Sequence, residues 1–263
     1  MPLFLFLFAL LILPTAVPAQ TACTGQIPCQ LGERSYHVRE PDGWDGVSPL
    51  PVMLHFHGWA RQGTLTVRHP RIATATAPRG VLLLAPNGVR KTWDFWDTGS
   101  ADVPFARAVL EDAATRYPID RTRIFVSGYS YGSAMAWRFV CEDGADVHAL
   151  LAVSGTLRQD EGCATHPANV RHVHGTSDTV MRFPFGAGGD VLFPVALWRE
   201  RMGCAAPTGP RQWNAREFLT FERTTWATCR SGQTVALDVH PGGHFIPHDW
   251  FAAQLDELLA PPS

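Results

Sequence analysis

At 263 residues the chain is long enough for one α/β domain with a substantial core and too short for two of ordinary size. Its formal net charge of -2, without a block of basic residues, argues against a nucleic-acid surface. In chain order, residues 1–19 read first, as a secretory signal. Leu3 to Leu13 form an uncharged apolar core, followed by Pro14 and the small-residue site Val17-Pro18-Ala19. The run is shorter than the roughly 20 residues of a spanning helix, so removal is expected; no Lys or Arg precedes it, and retention as an anchor is the alternative. Residues 20–263 are then expected to form one domain, secreted or periplasmic, with no membrane contact after cleavage.

Ser35–Arg39 alternates as a first strand. Leu50–His57 is a largely apolar strand followed by Gly58-Trp59, and Val81–Ala85 is an apolar run ending at Pro86-Asn87-Gly88. Asp102 opens an amphipathic helix through Phe105, Ala106, Val109, Leu110 and Ala113, stopped before Pro118. Arg123–Ser127 leads through Gly128-Tyr129-Ser130-Tyr131-Gly132 into a helical segment, Ser133–Val140. Ala149–Val153 and Val170–His174 are further strands, the second leaving through Gly175-Thr176-Ser177-Asp178. Helical segments return at Phe193–Met202 and Asp249–Leu259, with the strand Thr234–Val239 between them. Strands alternating with helices, several of them apolar throughout, predict a doubly wound, mostly parallel sheet with helices on both faces. Gly186–Gly189 reads as a surface loop, too short for a domain linker.

Strand, G-x-S-x-G, helix is the context of a nucleophile elbow, a sharp turn that lifts a serine hydroxyl out of the sheet. A serine hydroxyl needs a base to take its proton and a carboxylate to orient that base, in the order Ser, Asp or Glu, His. Asp178 follows a strand and is the candidate acid; Asp190, after a glycine-rich stretch with no strand leading into it, is the weaker rival. His244 lies in the loop His240-Pro241-Gly242-Gly243-His244, whose glycines free it to swing over the sheet edge. His240 is the rival base, closer to the strand and fixed by the following proline. The backbone N–H groups of Tyr131 and Trp59 are the candidate oxyanion donors.

Two pairs of alternating histidines, His55/His57 and His172/His174, invite a metal reading. No carboxylate or cysteine completes a ligand motif, so they read as packed or site-bordering residues and no metal is expected. Trp59, Trp93 and Trp96 follow strands and read either as lining a cleft for an apolar or aromatic acyl group or as ordinary core and surface packing. Six cysteines behind a signal predict disulfides, with fifteen pairings possible in principle. Proximity favours Cys23 with Cys29, Cys141 with Cys163, and Cys204 with Cys229. Each of the latter two closes a loop of about 25 residues, worth roughly 3 kcal/mol in the chain-entropy model.

These residues together resemble the secreted polyhydroxybutyrate depolymerase and feruloyl esterase group of α/β-hydrolases. The resemblance runs from about Cys23 to His248 and is carried by His57-Gly58, Ala85-Pro86-Asn87-Gly88 with Trp93, and Gly128-Tyr129-Ser130-Tyr131-Gly132. It is carried also by His174-Gly175-Thr176-Ser177-Asp178, Trp198 before Cys204, and Gly242-Gly243-His244. It implies a Ser130–Asp178–His244 triad hydrolysing carboxylic esters without a cofactor, and it supports the local disulfide pairing. Members often have Asn-Gly-Gly where this chain has Tyr131-Gly132-Ser133, and an aromatic then proline where it has Phe245-Ile246-Pro247. The expected substrates are polyhydroxybutyrate-type polyesters or hydroxyacyl oligomers, with feruloyl or acetyl esters of plant polysaccharide as the alternative. A serine peptidase ranks lower. The reading of another class is a catalytically silent binding module on a hydrolase fold, which commonly loses a triad member.

Overall fold

The computed structural model describes residues 23–157, 163–184, 193–216 and 218–261. The expected signal at 1–19, the loop Gly186–Gly189 and the rival acid Asp190 lie outside the described residues. Ten strands form one sheet: β1 Cys29–Leu31, β2 Arg34–Arg39, β3 Leu50–Phe56, β4 Leu82–Pro86, β5 Ile119–Tyr129, β6 Ala149–Val153, β7 Asn169–Gly175, β8 Thr208–Arg216, β9 Leu219–Trp226 and β10 Thr234–His240. Their order is β1-β2-β4-β3-β5-β6-β7-β10-β9-β8. The pairings from β4 through β10 are parallel, while β1, β2, β8 and β9 add antiparallel edges.

The helices are α1 Gly63–Thr66, α2 Ala73–Thr76, α3 Asp102–Ala114, α4 Tyr131–Asp143, α5 Phe193–Arg201 and α6 Trp250–Leu259. They cover both faces, which explains the uninterrupted apolar strands. On β3, Val52, Leu54 and Phe56 pack into the layer under α3, α4 and α5, whereas Met53 packs into the opposite layer with α2 and α6. Leu82 and Leu84 of β4 share the first layer, and Leu83 and Ala85 share the second. A strand between two helical layers has no wet side, so successive side chains still alternate between the two layers while alternation of polarity disappears. Each fully buried leucine there contributes about 1.5–3 kcal/mol relative to an exposed one.

The sequence reading did not anticipate β1 or the β8–β9 hairpin. That hairpin is tied to the sheet by a buried polar cluster around Asp238 of β10. Both Asp238 oxygens accept from Arg223 of β9 at 2.8 Å, Trp213 Nε1 donates at 2.9 Å and Trp250 Nε1 at 2.8 Å. Arg223 also reaches Glu257 and Gln254 of α6. Three disulfides join Cys23 to Cys29, Cys141 to Cys163 and Cys204 to Cys229.

Candidate active site

The site stands at the carboxyl ends of the parallel strands, where the chain leaves the sheet. β5 ends at Tyr129, α4 begins at Tyr131, and Ser130 between them holds φ 58° and ψ −125°. A non-glycine residue with this backbone is strained, and here the strain is held by the strand before it and the helix after it. The Ser130 N–H donates to Val153 at 3.0 Å, and its carbonyl accepts from Ala134 N–H at 3.0 Å. The flanking glycines are required by close approach. A Cβ on Gly128 would lie 2.1 Å from the Gly132 carbonyl oxygen, and one on Gly132 would lie 2.0 Å from that of Phe56.

Parallel pairing of β7 with β10 sets His240 opposite Gly175, so the loops leaving the two strands run side by side. They are laced together by Thr176 N–H to the His240 carbonyl at 2.8 Å and Ser177 N–H to the Gly242 carbonyl at 3.1 Å. This places Asp178 and His244 over the elbow. The imidazole Nδ1 of His244 lies 2.7 Å from Asp178 Oδ2, and its Nε2 lies 2.9 Å from Ser130 Oγ. With Asp178 taking the Nδ1 proton as a hydrogen bond, Nε2 presents its lone pair to the serine hydroxyl. Asp178 Oδ1 accepts from the N–H groups of Val180 and Met181, each at 2.8 Å. Burial alone would raise this carboxyl, but the bonds from His244, Met181 and Val180 outweigh it and hold its pKa below the ordinary value.

Two further residues support this arrangement, Tyr129 of the elbow and His174, one of the histidines read as packed or site-bordering. The Tyr129 hydroxyl donates to the His244 carbonyl at 3.0 Å, and its ring lies 4.9 Å from the imidazole. His174 Nε2 lies 2.6 Å from the Met181 carbonyl and 3.4 Å from Asp178 Oδ2, pinning the acid loop. The rival His240 is elsewhere: it is buried at the end of β10, and its Nδ1 accepts from Gly242 N–H at 3.1 Å.

The other side of the elbow is set by His57. Gly88 N–H donates to its Nε2 at 3.0 Å, so Nδ1 carries the proton and donates to the Gly58 carbonyl at 2.8 Å. Because the peptide is planar and trans, fixing that carbonyl points the Trp59 N–H the opposite way. A Cβ on Gly58 would lie 3.7 Å from the Ser130 Cβ, so this peptide borders the nucleophile. The Tyr131 N–H opens α4 and is among the first-turn donors that lack an intrahelical acceptor.

The three tryptophans separate. Trp59 is exposed, and Trp96 is half exposed with its ring 6.1 Å from that of Tyr131. Trp93 does not line an open cleft, which corrects its assignment as a substrate contact. It is buried, donates Nε1–H to the His57 carbonyl at 2.8 Å, and packs edge-on against Phe56. Its indole thus fills the space above the end of β3 and saturates a carbonyl there. The described residues also line a cleft of about 580 Å³ beside the triad, which includes Gly58, Tyr129 and Phe245. Trp59, Trp93 and Trp96 are not part of its wall.

Buried imidazoles near the site make stability depend on pH. Desolvation, with smaller contributions from His69 and His57, pushes His55 down to about 3. Desolvation pushes His57 and His240 down to about 4. In each case the folded value lies below the ordinary 6.5, so the unfolded chain takes up protons first as pH falls. Stability is therefore complete above about pH 6.5 and lost progressively toward pH 4 for His57 and His240 and toward pH 3 for His55. Each histidine is expected to cost about 2 kcal/mol by pH 5. Urea midpoints at pH 7, 6 and 5 should fall in that order; a flat profile would mean that these groups are not held neutral by burial.

Sheet order, parallel centre and strand-end elbow define the α/β-hydrolase fold. Solved structures agree: the chain superposes on an acetyl xylan esterase from Aspergillus awamori with TM-score 0.64, 14% identity, and 83% and 94% coverage of the two chains. A Bacillus cereus carboxylesterase gives TM-score 0.55 at 14% identity, covering 86% and 94%. No protein-family model matches the chain. Among curated proteins it is similar to feruloyl esterase D of Neurospora crassa, 25% identical over 89% of this chain and 87% of the relative. It is also similar to feruloyl esterase C of Emericella nidulans, 26% identical over 58% of this chain and 57% of that protein. A bifunctional acetylxylan esterase/xylanase of Neocallimastix patriciarum is 24% identical over 80% of this chain and 31% of its own length. These similar curated proteins are named as esterases, and the two solved esterase structures share the fold described above.

Proposed function

We propose that this protein is a serine esterase cleaving carboxylic esters, with feruloyl or acetyl esters of plant polysaccharide as its substrate class. The observation that carries the reading is the continuous hydrogen-bonded line from Asp178 through His244 to Ser130. Ser130 Oγ attacks the ester carbonyl while His244 Nε2 takes its proton. Asp178 holds the tautomer and stabilises the imidazolium. The N–H groups of Trp59 and Tyr131 receive the charge developing on the carbonyl oxygen. Collapse of the tetrahedral species breaks the C–O bond, and His244 returns the proton to the departing alcohol. Water then attacks the acyl-serine with the same base, releasing acid and restoring Ser130. The step needs no cofactor or metal.

The feruloyl and acetyl reading is preferred to the polyester one because the similar curated esterases are named for feruloyl and acetylxylan esters. Complete pairing of all three polar groups disfavours the silent binding module. Three disulfides support a secreted or periplasmic location. The described residues contain no helix long and apolar enough to cross a membrane. The purified protein should release ferulate from methyl ferulate or acetate from acetylated xylan faster than hydroxybutyrate from a polyhydroxybutyrate film. Faster release from the film would return the assignment to polyesters. Inactivity on all three would remove the esterase reading.

A further inference from the structure

The cleft beside the triad carries a charge pattern that hydrolysis of a neutral ester does not require. Its wall includes Arg61, Arg68 and Arg71, together with His69, and no Asp or Glu. This comes from one stretch of chain: between Asp45 and Asp94 there are six Lys and Arg and not a single acid, in a protein whose formal net charge is -2. Two more of those six, Arg90 and Lys91, flank the same loop from the far side, where Ala60 N–H donates to the Lys91 carbonyl at 2.9 Å. Arg71 is anchored through Nη1 to the Ile246 carbonyl, two residues beyond His244. Arg61 has no ion-pair partner among the described residues. Both guanidinium groups act on Tyr129, whose hydroxyl donates to the His244 carbonyl: burial and the Asp178 charge push that hydroxyl up to about 12, and Arg61 and Arg71 oppose them. A concave wall of one sign, bordered by low-dielectric packing, attracts and orients the opposite charge.

We propose that this cleft binds a carboxylate carried by the substrate, so that the preferred esters bear a free acid on their acyl or alcohol part. The proposal rests on the serine-esterase reading and adds a substrate class to it. Guanidinium groups suit the task because they stay charged and meet a carboxylate with two parallel N–H bonds. Arg61 is two residues beyond Trp59, so an acid held there lies within a short substrate's reach of the reacting carbonyl.

Matched ester pairs test this. On the acyl side, p-nitrophenyl hemiglutarate is compared with p-nitrophenyl valerate; on the alcohol side, 4-acetoxybenzoate is compared with its methyl ester. In one of the two pairs the acid should be favoured in kcat/KM by about tenfold at low salt, as for a charge-assisted contact. The side on which the preference appears identifies the part of the substrate that carries the acid. That ratio should shrink toward one as salt rises from about 20 mM to about 0.5 M. Arg61→Gln should lower the ratio and Arg61→Lys should recover part of it, the change appearing mainly in KM. Hydrolysis of the neutral esters with no preference for the acid in either pair overturns the carboxylate cleft and leaves the esterase reading standing. A wild-type preference that Arg61→Gln leaves untouched also overturns the assignment. No hydrolysis of any ester overturns both.

Discussion

Ser130→Ala is expected to lower kcat/KM for a short p-nitrophenyl ester by about 10⁴-fold or more, equivalent to at least about 5 kcal/mol of transition-state stabilisation. In the proposed mechanism the hydroxyl oxygen forms the new covalent bond, and neither His244 nor a water held by it would replace the acyl-serine route at comparable rate. The substitution removes one oxygen from a helix start whose backbone bonds to Val153 and Ala134 stay in place. Thermal midpoints of variant and wild type should therefore be close. An active variant would move the nucleophile elsewhere, and an unfolded one would show that the hydroxyl serves the fold.

Asp238→Ala is expected to cost about 3–5 kcal/mol of folding stability, because it removes the buried carboxylate that faces Arg223 and leaves that buried charge only the partly exposed Glu257 as an ionic partner. Asp238 is completely buried and Arg223 almost so. The loss also strands the indole N–H groups of Trp213 and Trp250, which both donate to Asp238. The double change Arg223→Met with Asp238→Leu should be much less damaging than Asp238→Ala alone, since an apolar pair removes the charge as well as its partner. Urea midpoints for the three proteins decide between the outcomes. Equal losses in the single and double variants would mean that what both remove, the ion pair and the acceptor of the two indole N–H groups, carries the energy rather than the orphaned charge.

The elements that position the site were legible for a physical reason. β3, β4 and β6 are buried on both faces, which forces uninterrupted apolar runs that stand out at four to eight residues. Ser130, Asp178 and His244 each follow such a strand or its parallel neighbour, so strand ends in the sequence are also neighbours in space. The β8–β9 hairpin was hidden because β8 contains Gly209 and Pro210, and because an inward position of β9 is occupied by Arg223. An arginine reads as solvent-facing until its buried partner Asp238 is known. Trp93 was misplaced because an indole suits a cleft wall and a packed strand end equally, and only the His57 carbonyl beneath it separates the two. The arginine-lined cleft escaped for a related reason: Arg61, Arg68 and Arg71 are spread along ten residues and converge only through the fold.

On the proposed mechanism Ser130 is a nucleophile activated by His244 for ester cleavage. Labelling with a fluorophosphonate, followed by peptide mass spectrometry, tests it most directly because the reagent reports the activated hydroxyl itself. The expected result is one adduct per chain, on the peptide containing Ser130, with esterase activity lost in proportion to labelling. His244→Ala should abolish the adduct, whereas His240→Ala should retain it. An adduct on another residue, or full ester hydrolysis by protein that stays unlabelled, would contradict the mechanism.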